Sequence, residues 1–147
     1  MSEAQQLSQQ YEELQEEVQE LQQVVAQLEA TIEGCENAKE TLENVEGGDE
    51  ILVPLGGETR LRATVESVDE VLVGVGADVT VELDQDDAVE SLDEKIEDLE
   101  ESKKETEAKL DDRQDQIEEL AQRAQQMQAQ QQQQQRGGGP GRGPEGE

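Results

Sequence analysis

The feature that most constrains the fold is a heptad repeat of apolar residues in the first third of the chain. Its members alternate spacings of four and three residues: Leu7, Tyr11, Leu14, Val18, Leu21, Val25, Leu28, Ile32, Cys35 and Leu42. Lys39 fills the one slot in this stripe that lacks an apolar residue. A repeat of about 3.5 residues keeps a single seam facing a partner helix. The pattern therefore predicts a coiled-coil helix over residues 1–46, which Gly47 and Gly48 end.

The same repeat returns in the second half of the chain. Its apolar members are Val89, Leu92, Ile96, Leu99, Leu110, Ile117, Leu120, Ala124 and Met127. Lys103, Thr106 and Arg113 occupy the same stripe, where polar residues lower stability but restrict the register. The pattern predicts a second helix over residues 87–130, with Asp86 or Asp87 as its N-cap.

Two helices of equal length on either side of a short insert most simply fold back as an antiparallel coiled coil. Facing seam layers then need partner residue numbers that total either 131 or 138. The first arrangement places Leu7 near Ala124, and the second places Tyr11 near Met127. The sequence leaves both registers open.

Between the helices, residues 47–86 change to a period of two, which is typical of strands. Turns at Gly56-Gly57, at Ser67–Asp69 and at Gly76–Asp78 divide them into four short strands in two hairpins, with Pro54 at an edge or where pairing ends. Four such strands bury too little to be stable alone, so we expect them to assemble subunits. The residues expected at subunit contacts are Ile51, Val53, Leu55, Leu61, Val65, Val71, Val73, Val75, Val79, Val81 and Leu83.

The chain is strongly acidic, with 39 acidic and 11 basic residues and a net charge of −28. Such a balance excludes nucleic acid and anionic membranes as partners, because both bind cationic surfaces. High charge with few apolar residues also characterises disordered chains, but those lack heptads. Folding in concentrated salt is the alternative that the periodicity favours. Without a signal peptide or a spanning segment, we expect a soluble cytoplasmic protein.

Residues that could carry catalysis are scarce. There is no histidine, and the single cysteine, Cys35, lies on the first seam, where burial is the expected role. Gly74-Val75-Gly76 lacks the third glycine of a dinucleotide site, and Asp84–Asp87 lacks the remaining positions of a calcium loop. We therefore expect no enzyme, no catalytic residue, no metal and no cofactor. The remaining residues, 131–147, are rich in Gln, Gly, Arg and Pro and are predicted to be a disordered tail.

The order helix, two hairpins, helix resembles the α-class subunit of archaeal prefoldin over Leu7–Met127, most tellingly in Ile51–Gly56 and Val71–Glu82. The resemblance implies an α+β fold whose hairpins join other subunits in a β-barrel platform. It also implies a heterohexamer of two α-class and four β-class subunits. Such a complex is an ATP-independent chaperone that holds non-native polypeptides and passes them to a group II chaperonin. The high charge and the absence of aromatic residues from the hairpins depart from the family and suit a halophilic archaeon.

In this family the clients are held at the free ends of the coiled coils. The seam residues nearest that end are Leu7, Tyr11, Leu14, Leu120, Ala124 and Met127, and fraying there would expose them to clients. The alternative is that these residues only close the seam. Rival functions are a coiled-coil scaffold or tether, which has no need of hairpins, and an acidic mimic of DNA, which needs a shaped charged face.

Overall fold

In a computed structural model, which describes residues 2–138, two long helices flank two β-hairpins. The elements are α1 (Glu3–Asn44), β1 (Glu50–Gly56), β2 (Thr59–Thr64), β3 (Val71–Gly76), β4 (Val79–Leu83) and α2 (Gln85–Gly138). Strand β1 pairs antiparallel with β2, and β3 with β4, as two separate two-stranded sheets. The predicted fold class and the order of its elements are confirmed for the single chain.

Helix α2 is longer than the sequence analysis predicted. It has 54 residues against 42 in α1, so the expectation of equal helices is wrong. The predicted disordered tail also begins too early, because residues 131–138 continue the helix. Glutamine is a good helix former, and no Gly or Pro interrupts the run before Gly137. The rest of the predicted tail, residues 139–147, lies outside the described residues.

Side-chain caps fix the starts of both helices. Asp84 caps α2, since its Oδ1 accepts a hydrogen bond from the Asp87 amide at 2.8 Å. The predicted caps, Asp86 and Asp87, are therefore wrong by two or three positions, because β4 passes directly into the helix. At the start of α1, the Ser2 hydroxyl accepts from the Gln5 amide while the Gln5 side chain accepts from the Ser2 amide. This reciprocal pair is a capping box.

The two hairpins share one design. In each, a two-residue turn with positive φ follows a bulge, and the turn residues are Gly57-Glu58 and Ala77-Asp78. Such turns match the twist of the flanking strands. Pro54 forms the last regular pair before the first bulge, where its missing N–H does least harm, as predicted.

The chain forms two compact units. The first, which we call the hairpin unit, comprises Ala26–Lys104 and contains both hairpins. It holds every residue that is buried in the described part of the chain: Ile32, Cys35, Val73, Ala88 and Leu92. Around the last four pack Leu42, Val71, Val81, Leu83, Ile96 and Leu99. The predicted burial of Cys35 on the seam is confirmed.

The second unit, called the end unit, comprises Met1–Val25 and Glu105–Glu147. It pairs the first part of α1 with the last part of α2. Its seam residues are at most half-buried, and none of its described residues is fully buried. The end unit therefore has a seam but no closed core.

Ion pairs between the helices reveal the register that the sequence left open. In the end unit Glu17 pairs with Arg113; in the hairpin unit Glu29 pairs with Lys103 and Lys39 with Asp93. The residue numbers of these pairs total 130, 132 and 132, which brackets 131 rather than 138. Each unit therefore uses the first of the two registers. Neither described helix has a stretch long and apolar enough to cross a membrane.

Candidate functional site

An open groove between α1 and α2 in the end unit is the main candidate site. Its volume is about 510 Å³. It is lined by Ala4, Leu7, Ser8, Tyr11, Leu120, Ala121, Ala124, Gln125, Met127, Gln128 and Gln131. Five of the six seam residues that the sequence suggested for client binding thus lie in one groove. The sixth, Leu14, lines a neighbouring groove of about 430 Å³ that also contains Leu120.

Small residues keep this groove open. In the 131 register, Leu7 lies opposite Ala124 and Met127 lies opposite Ala4, so each of these two layers pairs a large side chain with a methyl group. A coiled-coil seam closes when large apolar side chains fill the space between the helices. Here the side chains of the two layers are together too small to fill that space, and Tyr11 remains 38% exposed. The result is an apolar surface that water can reach.

The lining of this groove carries no charge. Its polar groups are the amides of Gln125, Gln128 and Gln131 and the hydroxyls of Ser8 and Tyr11. The neighbouring groove differs, because Glu13, Glu17, Glu119 and Arg123 line it. Two grooves side by side in the end unit therefore differ sharply in electrostatic character.

Arg113 joins the two helices beside the second groove, through its ion pair with Glu17. Its Nε donates to Glu17 Oε2 at 2.7 Å, and its Nη1 donates to Asp112 Oδ2 at 2.6 Å. A guanidinium with two carboxylate partners is held in a defined geometry. Arg113 therefore ties α1 to α2 in the end unit.

The hairpin residues that the sequence predicted at subunit contacts fall into two groups, one packed in the core and one less buried. Val71, Val73, Val81 and Leu83 pack into the core of the hairpin unit, against the chain's own helices. Ile51, Leu55, Leu61, Val75 and Val79 are exposed, while Val53 and Val65 are half-buried. In the conformation described, the first four are occupied within the chain, so the free apolar surface belongs to the exposed members.

Sequence reasoning missed part of the exposed apolar surface. Leu52 is 56% and Leu72 is 72% exposed, although each lies in a strand. Leu72 alternates with Val71 and Val73, so it points away from the core that they enter. A run of apolar residues in all three positions hides which face is inner, because alternation is lost. A strand with one buried face needs apolar residues only at alternate positions. The apolar Leu72 between Val71 and Val73 is therefore the signal that could have predicted a second apolar face.

An ion pair between Lys39 and Asp93 perturbs the pKa of the lysine. This pKa is raised, chiefly because the Asp93 carboxylate accepts a hydrogen bond from Lys39 at 2.6 Å. That pair joins the two helices in the hairpin unit. Among residues 2–138, no group of three His, Cys, Asp or Glu side chains is arranged to hold a metal ion.

Comparisons with known proteins agree with this architecture. A family model described as "Prefoldin subunit" matches residues 14–130. The prefoldin subunit alpha of Haloarcula marismortui is 40% identical over 83 residues, which are 52% of this chain and 54% of that protein. The prefoldin subunit alpha of Pyrococcus horikoshii is 32% identical over 97 residues, 63% of this chain and 66% of that protein.

A solved structure shares the fold. The filamentous PFD from Methanocaldococcus jannaschii, determined by cryo-EM, superposes with a TM-score of 0.65 at 24% identity. The superposition covers 77% of this chain and 96% of that chain. The matches to the first curated relatives cover less of those proteins than this superposition does. The chain spans about half of their length.

Proposed function

Because this chain belongs to the prefoldin subunit family, we propose that it is an α-class subunit of an ATP-independent chaperone that holds non-native polypeptides. The observation that carries this proposal is the open groove of the end unit, where apolar side chains line a seam that stays unfilled. Non-native chains differ from folded ones in exposing apolar side chains. The groove offers such side chains a place to bury.

Binding of this kind is weak at each groove. A buried apolar side chain contributes about 1.5–3 kcal/mol, and ordering a flexible chain opposes much of that gain. Several grooves on one complex would raise the overall affinity, because contacts after the first are intramolecular. Weak contacts also let a client leave without an energy source. The site therefore suits holding rather than catalysis.

Assembly through the hairpins supplies the several grooves. Seven of the nine large apolar residues that are exposed in the described chain lie on β1–β4: Ile51, Leu52, Leu55, Leu61, Leu72, Val75 and Val79. A surface of this kind marks an interface. We assign it to contacts with other prefoldin subunits, in a heterohexamer of two α-class and four β-class subunits. Transfer of clients to a group II chaperonin in the cytoplasm completes the proposed function.

The first test makes the groove polar. Leu7→Gln with Met127→Gln should cut suppression of the aggregation of a diluted, denatured protein severalfold, because the groove loses its apolar side chains. Val24→Gln, at an exposed apolar residue of the end unit outside the groove, is the matched control and should change little. Circular dichroism checks that the helices persist in each variant.

Ala124→Leu separates client binding from simple closure of the seam. The added side chain should fill the groove, so thermal stability should rise while aggregation suppression falls. If these residues only close the seam, stability will rise with suppression unchanged. Full activity in Leu7→Gln/Met127→Gln would contradict the proposed site and favour a scaffold or tether.

A further inference from the structure

The lining of the groove is unusual for this chain because it is uncharged. Asp, Glu, Lys and Arg make up 34% of all residues, yet none of the lining residues is charged. The two stretches that contribute most of the lining, 4–11 and 124–135, contain no charged residue at all. Both stretches belong to the end unit. The charge-free surface is therefore a property of this part of the molecule, set within a chain of net charge −28.

From this contrast we infer that the groove is built to take apolar segments of acidic polypeptides, which carry the same sign of charge as the chaperone itself. The inference rests on the proposed function and names the class of client. A groove lined by carboxylates would repel such segments. A neutral groove leaves the contact to apolar burial and to hydrogen bonds from glutamine amides, which both donate and accept.

The dimensions of the neutral stretches support this. At 1.5 Å per residue, helical stretches of this length extend roughly 12 and 18 Å along their axes. The Debye length is about 10 Å at 0.1 M salt and about 3 Å at 1 M. The middle of each stretch is thus roughly 6 to 9 Å along the helix axis from its ends, which is comparable to the screening length at 0.1 M salt. At 1 M salt the same separation is about two to three screening lengths.

The neighbouring groove offers an internal contrast. It shares Leu120 with the first groove, but Glu13, Glu17 and Glu119 outnumber Arg123 in its lining. If clients were basic, this acidic groove would be the better site, because opposite charges attract. The larger apolar surface instead lies in the neutral groove, so apolar contact and neutrality occur together.

The test uses two fluorescent peptides as probes, identical in their Leu, Val and Tyr positions but carrying either Glu or Lys between them. Binding to the full chain, assembled with a β-class prefoldin subunit, is followed by fluorescence anisotropy at about 0.1 M and about 1 M KCl. The acidic peptide should bind at both concentrations, with an affinity that changes less than about threefold. The basic peptide should gain little by comparison at either concentration.

Charge added to the groove should abolish this tolerance. Gln125→Glu with Gln128→Glu should weaken the acidic peptide about fivefold to tenfold at the lower salt, and less at the higher, because new carboxylates repel it. Gln122→Glu with Gln126→Glu adds the same charge to the same helix, at a spacing of four rather than three residues, but these residues do not line the groove. This control should weaken the acidic peptide far less.

Each outcome has a distinct meaning. If the basic peptide binds more than about tenfold tighter at low salt and loses that advantage at high salt, the inference is overturned and the proposed function stands. The inference also fails if the groove and control variants weaken the acidic peptide equally. If neither peptide binds the unmodified complex, the proposed holding function fails with it.

Discussion

A single side chain, Gln85, joins the two helices where the chain leaves the hairpins. Its Nε2 donates to the backbone carbonyl of Leu42 and, at 3.1 Å, to that of Val45. The last carbonyls of a helix have no partner within it, and a partly buried one left unpaired costs stability. Gln85 thus caps the C-terminal end of α1 from the first turn of α2.

Replacing the amide of Gln85 by a carboxylate should destabilise the chain. In Gln85→Glu the donor is lost, and a negative charge faces carbonyl oxygens at the negative end of the α1 dipole. We expect a loss of about 1–3 kcal/mol in the free energy of unfolding, measured by urea titration. The same change at exposed Gln130 is the control and should stay within about 0.5 kcal/mol. Equal stability of the two variants would show that the cap is not significant.

Single residues also mark where sequence reasoning reaches its limit. The heptad predicted Cys35 and Leu92 in the core, because spacing alone places them on the seam. Ala88 is 0% exposed yet was not predicted, since its burial depends on how closely β3–β4 approach α2. Gln85 was missed for a similar reason, as its acceptors lie 40 or more positions away. Long-range packing decides both, and neither leaves a periodic signal.

At the scale of elements, the cations in the seam explain the register. Lys39, Lys103 and Arg113 each replace an apolar seam residue, and each pairs with a carboxylate of the other helix. Exposed pairs like these contribute little stability, but a shift to the 138 register would separate all three. The heptads could not predict this choice, because both registers bring apolar residues together. The raised pKa of Lys39 means that its ammonium still pairs with Asp93 at the ordinary lysine pKa, and the pairing is lost as pH rises above the shifted pKa.

The candidate groove was likewise predictable only in part. Five of its eleven lining residues were predictable, because the heptad names them as seam positions, whereas Ala4, Ser8, Ala121 and the three glutamines were not predicted. Its openness was not predicted either, since it arises only when Leu7 meets Ala124 and Met127 meets Ala4. In the other register Tyr11 would face Met127, and two large side chains would meet. The site therefore depends on the register, which the charged pairs determine.

The second hairpin has two faces with different roles, and adjacent substitutions should separate them. Leu72→Asp changes a side chain that is 72% exposed and should leave the helices intact while lowering the mass of the complex formed with a β-class subunit. Val73→Asp changes one that is 6% exposed and should unfold the hairpin unit, because it buries an unpaired charge. Circular dichroism and sedimentation velocity distinguish the two effects. A complex of unchanged mass in Leu72→Asp would exclude this face from the interface.

At the scale of the whole molecule, the excess of carboxylates opposes folding in dilute buffer. With 39 acidic residues and 11 basic ones, many charges on the helices face neighbours of the same sign. Narrow seams and two small sheets bury little apolar surface to compensate. Carboxylates separated by a turn of helix interact strongly only where salt does not screen them. Concentrated salt should therefore favour the folded chain.

This balance predicts that salt drives folding. The Debye length falls from about 30 Å at 0.01 M to about 3 Å at 1 M, so repulsion between the carboxylates should largely disappear over that range. The helical signal and the melting temperature of the chain should both rise with KCl, measured by circular dichroism.

A variant with Glu12, Glu13 and Glu16 changed to Gln carries less repulsion near the start of α1, so its stability should depend less on salt. Because sucrose strengthens apolar burial without screening charge, it should stabilise both proteins equally. A chain equally helical at about 0.01 M and about 1 M KCl would contradict the screening argument and leave the acidity without this physical role.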